Sequence, residues 1–357
     1  MKNTTKYALM AVCLLMIFSL PFFLPSGAML SNVKNDLLNE TNGEEDFWDD
    51  FSFLLFPSAF AEEDEEVSFA FPTTTDVPQD KPQTTMFSPL PIDFTPGPKA
   101  NPKNYTDTGY VDDSISIQMK TLEQNGVQYC IGTIALSSPS QLRTAVAGTL
   151  TNTRVANISS MAEKHNAILA INADNFTNNP TKTSFEYRMG EKIRSKPNRL
   201  KDILIIDDKG DFHLFVQSDG AKMKKFQQSD LEIINAFTFG PALVIDSAVQ
   251  TINKDYGYNP RGKEPRMAIG QTGPLNYVVV MAEGRSSNSE GVTHQTLANF
   301  MGALGCTQAY NLDGGNSATM VFNGEFYGSR TGNERAQSDM IYFATNVDEA
   351  TWNNKGN

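Results

Sequence analysis

Cysteine and histidine are scarce, with three of each in 357 residues. Cys13 falls in an N-terminal apolar segment, and Cys130 and Cys306 are far apart, without the C-x-x-C spacing of a metal site. The histidines, His165, His213 and His294, are equally dispersed. This argues against zinc, and neither metal nor other cofactor is expected. Cys130 and Cys306 read equally well as a disulfide of an exported domain and as two buried thiols. Basic clusters are also missing. The formal charge is -12, so nucleic acid is not an expected partner. There is no internal repeat, no G-x-G-x-x-G and no Walker loop. "GNS" at 315–317 lacks the G-x-S-x-G order of a hydrolase elbow.

One long apolar run is present. Lys2 and Lys6 precede an uncharged stretch, residues 7–30, long enough to cross a bilayer, and an acidic flank follows. Residues 1–30 therefore read as a signal peptide or a membrane anchor, with the remainder outside the cell. Residues 31–106 read as an acidic, Pro/Thr-rich stem. Within it "FSFLLFPSAFA" (51–61) is too short to span, and its small-residue end before "EEDEE" resembles a cleavage site.

From residue 107 to about 350 the pattern is that of a single mixed α+β domain, a mixed sheet flanked by helices. Alternation marks "SISIQMKTL" (114–122) and "VQYCIGTIAL" (127–136) as strands joined at Asn125-Gly126. "SSPSQLRTAVA" (137–147) resembles the start of a short helix, and 155–167 a helix feeding the strand "AILAIN". "DILIIDD", "DFHLFV", "AFTFGPALVID", "YVVVMAEG", "QAYNLDGG" and "DMIYFAT" read as strands, and "ATMVFNGEFYG" as a hairpin. The clearest helix is "THQTLANFMGALG" (293–305), with Thr293 as N-cap, an apolar face of Leu297, Phe300, Met301 and Leu304, and Gly305 past its end.

Polar chemistry gathers where strands give way to loops, at "AINADNF" (170–176), "EPRMAIG" (264–270), "AEGRSSNSEGVTH" (282–294) and "NLDGGNSATM" (311–320). Each has a plain reading: a tight turn at Asp313, a loop cap at Asn172 and Asp174, surface ion pairs at Arg266 and Arg285, an incidental helix-start His294. If they converge, guanidinium forks and backbone amides suit a phosphate, and a carboxylate suits the adjacent sugar carbon. There C–O cleavage passes through an oxocarbenium-like state.

In this order and spacing the four segments resemble the phosphodiester glycosidase family, over roughly residues 114–345. The resemblance implies an α+β domain that hydrolyses a sugar 1-phosphodiester of the GlcNAc-1-phosphodiester type, here on extracellular or cell-wall glycans. Matched residue by residue, it implies Asp313 as the catalytic carboxylate with Glu283 or Asp174 as its partner. It places Arg266 and Arg285 on the phosphate, and Gly314, Gly315 and Ser317 as donors. Asn172 is expected on a sugar hydroxyl, and His294 and Arg335 among the substrate-binding residues. Glu283 stands where Asp is common, and Asn316 replaces a usual third glycine. Two alternatives remain open on the residues alone: a module that binds phosphorylated glycans without cutting them, and a phosphodiesterase that breaks P–O.

Overall fold

The computed structural model describes residues 87–174, 184–329 and 333–354. The expected signal or anchor at 1–30, the second apolar run and most of the stem lie outside them. Among the described residues no helix is long and apolar enough to cross a membrane.

Three sheets surround one core. The largest runs in the order Tyr105–Thr106, Gly109–Val111, Ile115–Gln124, Val127–Leu136, Asn276–Ala282, Arg266–Gly273, Gln308–Leu312, Ala242–Ile245 and Ala248–Val249. A second contains Phe212–Phe215, Ile203–Asp207, Ile233–Phe237, Phe185–Arg188 and Glu191–Ser195. The third contains Glu325–Phe326, Met320–Phe322, Leu169–Asn172, Asp339–Phe343 and Leu142–Val146. The α+β character is as expected, but strand dominates and the strand pairs within these sheets are antiparallel.

Period-two alternation explains the layering. Met267, Ile269, Val279, Met281, Tyr310 and Leu312 of the large sheet point inward, as do Ile171 and Ile341 of the third sheet and Leu204 and Ile206 of the second. The intervening residues point out, and each outer face takes one helix. His294–Ala303 packs Leu297, Phe300 and Met301 on Val278 and Val280. Ile158–Lys164 covers the third sheet with Ile158 and Met161, and Gly220–Gln227 covers the second with Met223 and Phe226. Thr293 accepts from Thr296 N, the cap expected of it.

Asn125 and Gly126 both have positive φ, 52° and 70°, as a two-residue hairpin turn requires. The "AFTFGPALVID" segment is a strand pair whose halves belong to different sheets, because the break at Gly240-Pro241 carries the chain from the second to the first. Residues 137–147 differ from expectation. Only Pro139–Gln141 turns, as one 3-10 turn under a Ser138/Gln141 capping box, and Leu142 onward is strand. Cys130 and Cys306 are buried free thiols on opposite faces of the large sheet, so the disulfide reading fails.

The last part of the expected stem is folded against the domain. Arg143, 1% exposed, donates to the carbonyls of Pro91, Asp93 and Thr95 at 2.9–3.1 Å. Asn166 holds the Gly97 carbonyl, and Asn346 that of Ser88. A Pro/Thr-rich segment cannot make a ladder of its own, but its carbonyls complete the bonding of a buried guanidinium that also holds the Tyr342 hydroxyl and the Ser140 carbonyl.

Gly132 of the large sheet packs tightly against Leu169 of the third. A Cβ there would lie 3.0 Å from both Leu169 Cδ2 and Val279 Cγ2. Gly132→Val is expected to destabilise the domain by about 1–3 kcal/mol through overpacking. Urea unfolding checks this: the midpoint falls while the m-value is unchanged.

Candidate active site

Antiparallel register brings the polar segments to one edge. Arg266 pairs with Ala282 and Met267 with Leu312, so one strand begins where its two neighbours end. Glu283 and Asp313 therefore leave the sheet on either side of Arg266. In the third sheet Met340 pairs with Asn172, which puts the end of Leu169–Asn172 beside the start of Asp339–Phe343.

Asn172 joins the two edges. Fully buried, it donates Nδ2 to the Asp313 carbonyl at 2.7 Å, and its Oδ1 accepts from Thr319 N at 3.0 Å. Asp313 N in turn donates to the Ala173 carbonyl. This side chain is occupied within the protein. The sugar contact expected of it gives way to a brace across the base of the Asp313 loop.

Asp313 is half-buried, and its carboxylate is built in by its own loop. Gly314 N donates to Oδ1 at 2.9 Å, and the Ser317 hydroxyl also bonds the carboxylate. Arg335 Nη1 donates to Ser317 Oγ at 3.1 Å and lies close enough to act on Asp313 by charge. Burial raises the Asp313 pKa; Ser317, Arg335 and the Gly314 amide pull it back, and Asp174 raises it further. The glycines are needed for space rather than for free amides. A Cβ on Gly314 would sit 2.6 Å from the Pro265 carbonyl oxygen, and Gly315 has φ +58°. The Gly315 N–H is already held by the Pro265 carbonyl at 2.7 Å. The expected glycine donors thus serve the loop itself.

The two candidate partner carboxylates are both buried and both engaged. Asp174 accepts from Arg188 and, through Oδ2, from Thr238 N at 2.9 Å. Glu283 accepts from Ser329 N at 2.6 Å and from the Ser329 hydroxyl. Glu283 lines a pocket together with Arg285, Gly315, Asn316 and Ser329, and Asp313 is not among its walls. Asp174 is the carboxylate whose charge reaches Asp313.

The two arginines first expected on the phosphate differ from one another. Arg266, 3% exposed, donates to the carbonyls of Tyr258, Asn259, Gly262 and Val292 and to His294 Nε2 at 2.8 Å. Its fork is filled by protein, which removes it from phosphate binding. Burial, with Arg285 adding repulsion against the pull of Glu264, lowers it to about 10. His294 is fully buried and held neutral, lowered to about 3 by burial and by Arg266, so its Nε2 accepts a hydrogen bond from Arg266 rather than meeting substrate. Arg285 is 45% exposed. It donates Nε to Glu264 at 2.6 Å and Nη1 to Asn316 Oδ1 at 2.7 Å, above Gly315. Arg285 and the exposed Arg335 are the cations that flank the Asp313 loop with surface open to solvent.

The sequence reading missed what lies beneath. Arg188, fully buried, bridges Asp174 and Asp339, with Nη2 2.8 Å from Asp339 Oδ2. Burial raises Asp339 to about 6 against the opposing pull of Arg188. The clue was two charges two residues apart in "FEYRMG", on one face of a short strand, and an acid heading the apolar run "DMIYF". Replacing Arg188 by Met leaves two buried carboxylates without their cation. The expected cost is about 3–5 kcal/mol at pH 7. Loss of the cation removes the pull that holds the raised Asp339 pKa down, so protonation of Asp339 relieves the variant as pH falls. Urea unfolding at pH 7 and pH 5 should show the gap to wild type narrowing at pH 5.

Comparison with known proteins bears on the family. A family model described as phosphodiester glycosidase matches residues 165–344, which hold every candidate residue above. The SPbeta prophage-derived uncharacterized protein YomE of Bacillus subtilis (strain 168) is 28% identical over 190 residues, 51% of this chain. The chain spans 28% of the length of that relative. Among solved structures, the zebrafish N-acetylglucosamine-1-phosphodiester alpha-N-acetylglucosaminidase catalytic domain, auto-inhibited by its pro-peptide, aligns with TM-score 0.51 and 13% identity, over 70% of this chain and 86% of that one. A hypothetical protein from Synechocystis aligns with TM-score 0.47 and 16% identity, over 64% and 62%. At 13% identity the zebrafish structure speaks to the fold alone, and the sequence model carries the assignment: this chain belongs to the phosphodiester glycosidase family.

Proposed function

We propose that the domain hydrolyses a sugar 1-phosphodiester at the C1–O bond, with Asp313 as the acting carboxylate and Arg335 and Arg285 holding the phosphate. The observation that carries this reading is the juxtaposition of Asp313 and Ser317 on one loop with Arg335 from the segment before the last strand, beside a second solvent-facing arginine. A phosphate leaving group needs charge more than a proton, which guanidinium groups supply. The carboxylate then faces the anomeric carbon, where positive charge develops in the transition state, or the water that attacks it. Asp174 adds negative charge from below without offering a free oxygen, and its Arg188 partner fixes it there. The substrate class suggested by family membership is a GlcNAc-1-phosphodiester-like linkage on an extracellular glycan, reached by an exported chain.

Asp313→Asn keeps the size of the side chain and removes its charge. Turnover of the methyl phosphodiester of N-acetylglucosamine 1-phosphate should fall by about a thousandfold or more with folding intact by circular dichroism. Near-normal turnover would remove Asp313 from the reaction. In heavy-oxygen water the label should appear in the released sugar. Label in the phosphate would instead mean P–O cleavage, and tight binding with no product would mean a binding module.

The pH dependence follows from the local groups. The working form of Asp313 is ionised, so activity should fall as pH drops through its raised pKa, above the ordinary carboxylate range of about 4. The Ser317 hydroxyl lowers that pKa, so Ser317→Ala should move the acid limb of the kcat/KM profile to higher pH. An unmoved or downward-shifted limb would separate Ser317 from the ionisation of Asp313.

A further inference from the structure

The loop that Arg266 grips carries an aromatic residue with no assigned role. Tyr258 and Asn259 both have positive φ, 69° and 53°. Two adjacent non-glycine residues in that region store backbone strain and persist only when their surroundings hold them. Arg266 is what holds them. Its guanidinium takes the carbonyls of Tyr258, Asn259 and Gly262, at 3.0, 2.6 and 3.1 Å, and His294 Nε2 fixes it from the other side. Arg266 also packs against the Asp313 loop, with its Cα and Cδ within 3.6 Å of where a Gly314 Cβ would be.

The side chain of Tyr258 is fixed as well. Its ring stacks on Phe239 at 4.0 Å and 7°, and Lys201 Nζ sits 3.7 Å from the ring centroid. Phe239 N is bonded to the Tyr310 hydroxyl, and the next two carbonyls, of Gly240 and Pro241, accept from Asn311. Tyr258 is thereby registered to the strand that ends in Asp313. Yet 46% of it stays exposed, and Asp174, Asp313 and Glu186 all lie near enough to its hydroxyl to act on it by charge. An aromatic ring clamped between Phe239 and Lys201, strained in its backbone and left half exposed near these carboxylates is built for more than packing.

Resting on the hydrolytic reading above, we infer that Tyr258 forms the wall of the cleft that faces Asp313 and that its hydroxyl hydrogen-bonds the bound sugar. Arg266 and His294 act as positioning residues that hold it there. The strain in residues 258–259 is offset by the Arg266 contacts, so losing the guanidinium lets the loop relax and withdraws the hydroxyl. Arg266 therefore affects the sugar through Tyr258 and not by touching phosphate.

The test is a double-mutant cycle on the full-length chain: wild type, Tyr258→Phe, Arg266→Lys and the double variant. Turnover of the methyl phosphodiester of N-acetylglucosamine 1-phosphate is measured alongside calorimetric binding of N-acetylglucosamine 1-phosphate. Tyr258→Phe, which keeps the ring and its stack, should lower kcat/KM by about ten- to a hundredfold, mainly through KM. Arg266→Lys should do the same, and the double variant should be no worse than the poorer single. Losses that multiply in the double variant, or a Tyr258→Phe enzyme within about twofold of wild type, would overturn the inference while leaving hydrolysis intact. If wild type turns nothing over, the hydrolytic reading fails and calorimetry decides the wall. Binding weakened at least about tenfold in Tyr258→Phe upholds it, and unchanged or absent binding ends it.

Discussion

A single buried amide joins the two halves of the candidate site. Asn172 ends a strand of the third sheet, and its side chain reaches the Asp313 carbonyl and the Thr319 amide, on either side of the loop that leaves the large sheet. Each sheet alone would present only a strand end with unpaired polar groups. Together they complete one another's hydrogen bonding, as buried polar groups must. The groups proposed to meet the phosphate and the anomeric carbon are placed relative to that brace: Asp313 directly, Ser317 and Arg335 through the loop, and Arg285 through Asn316.

Below the brace, charge is arranged in depth. Arg188 lies between Asp174 and Asp339 with no solvent to screen it. The two carboxylates are acceptors, and the single guanidinium keeps both in place while leaving net negative charge under Asp313. That charge and burial raise the Asp313 pKa, whereas Ser317, Arg335 and the Gly314 amide restrain the rise. Opposing influences of this kind are how a half-buried carboxylate is tuned. Arg143 plays a similar structural part at the opposite end of the third sheet, where it gathers the carbonyls of 91–95.

Arginine is the residue whose role changed most between sequence and structure. Arg266 and Arg285 look alike on paper, each opening or following a strand beside Gly or Pro. In the fold one is 3% exposed with carbonyls around its fork, and the other stands over Gly315 in the open. A guanidinium has five donors, and nothing in the local sequence says whether carbonyls or solvent will meet them. The difference lies in the path of residues 258–262, a loop with no periodicity to read.

What the sequence determined by itself was local and periodic. Alternation marked the strands, Asn125-Gly126 and Asn323-Gly324 marked the hairpins, and Thr293 with its apolar face marked the helix. Four ordered motifs marked the family. These depend on residues within a few positions of each other, so the chain carries them openly. The fold alone decided that the strands divide into three sheets around one core, and that two cysteines lie on opposite faces of one of them. It also decided that Asn172, Arg266 and His294 face inward, while Arg188, Asp339 and Tyr258 come to the site from segments outside the four motifs. Those outcomes follow from pairings between residues many tens of positions apart. Such pairings are set by which buried polar group finds which partner, and that is a property of the packed chain rather than of any stretch within it.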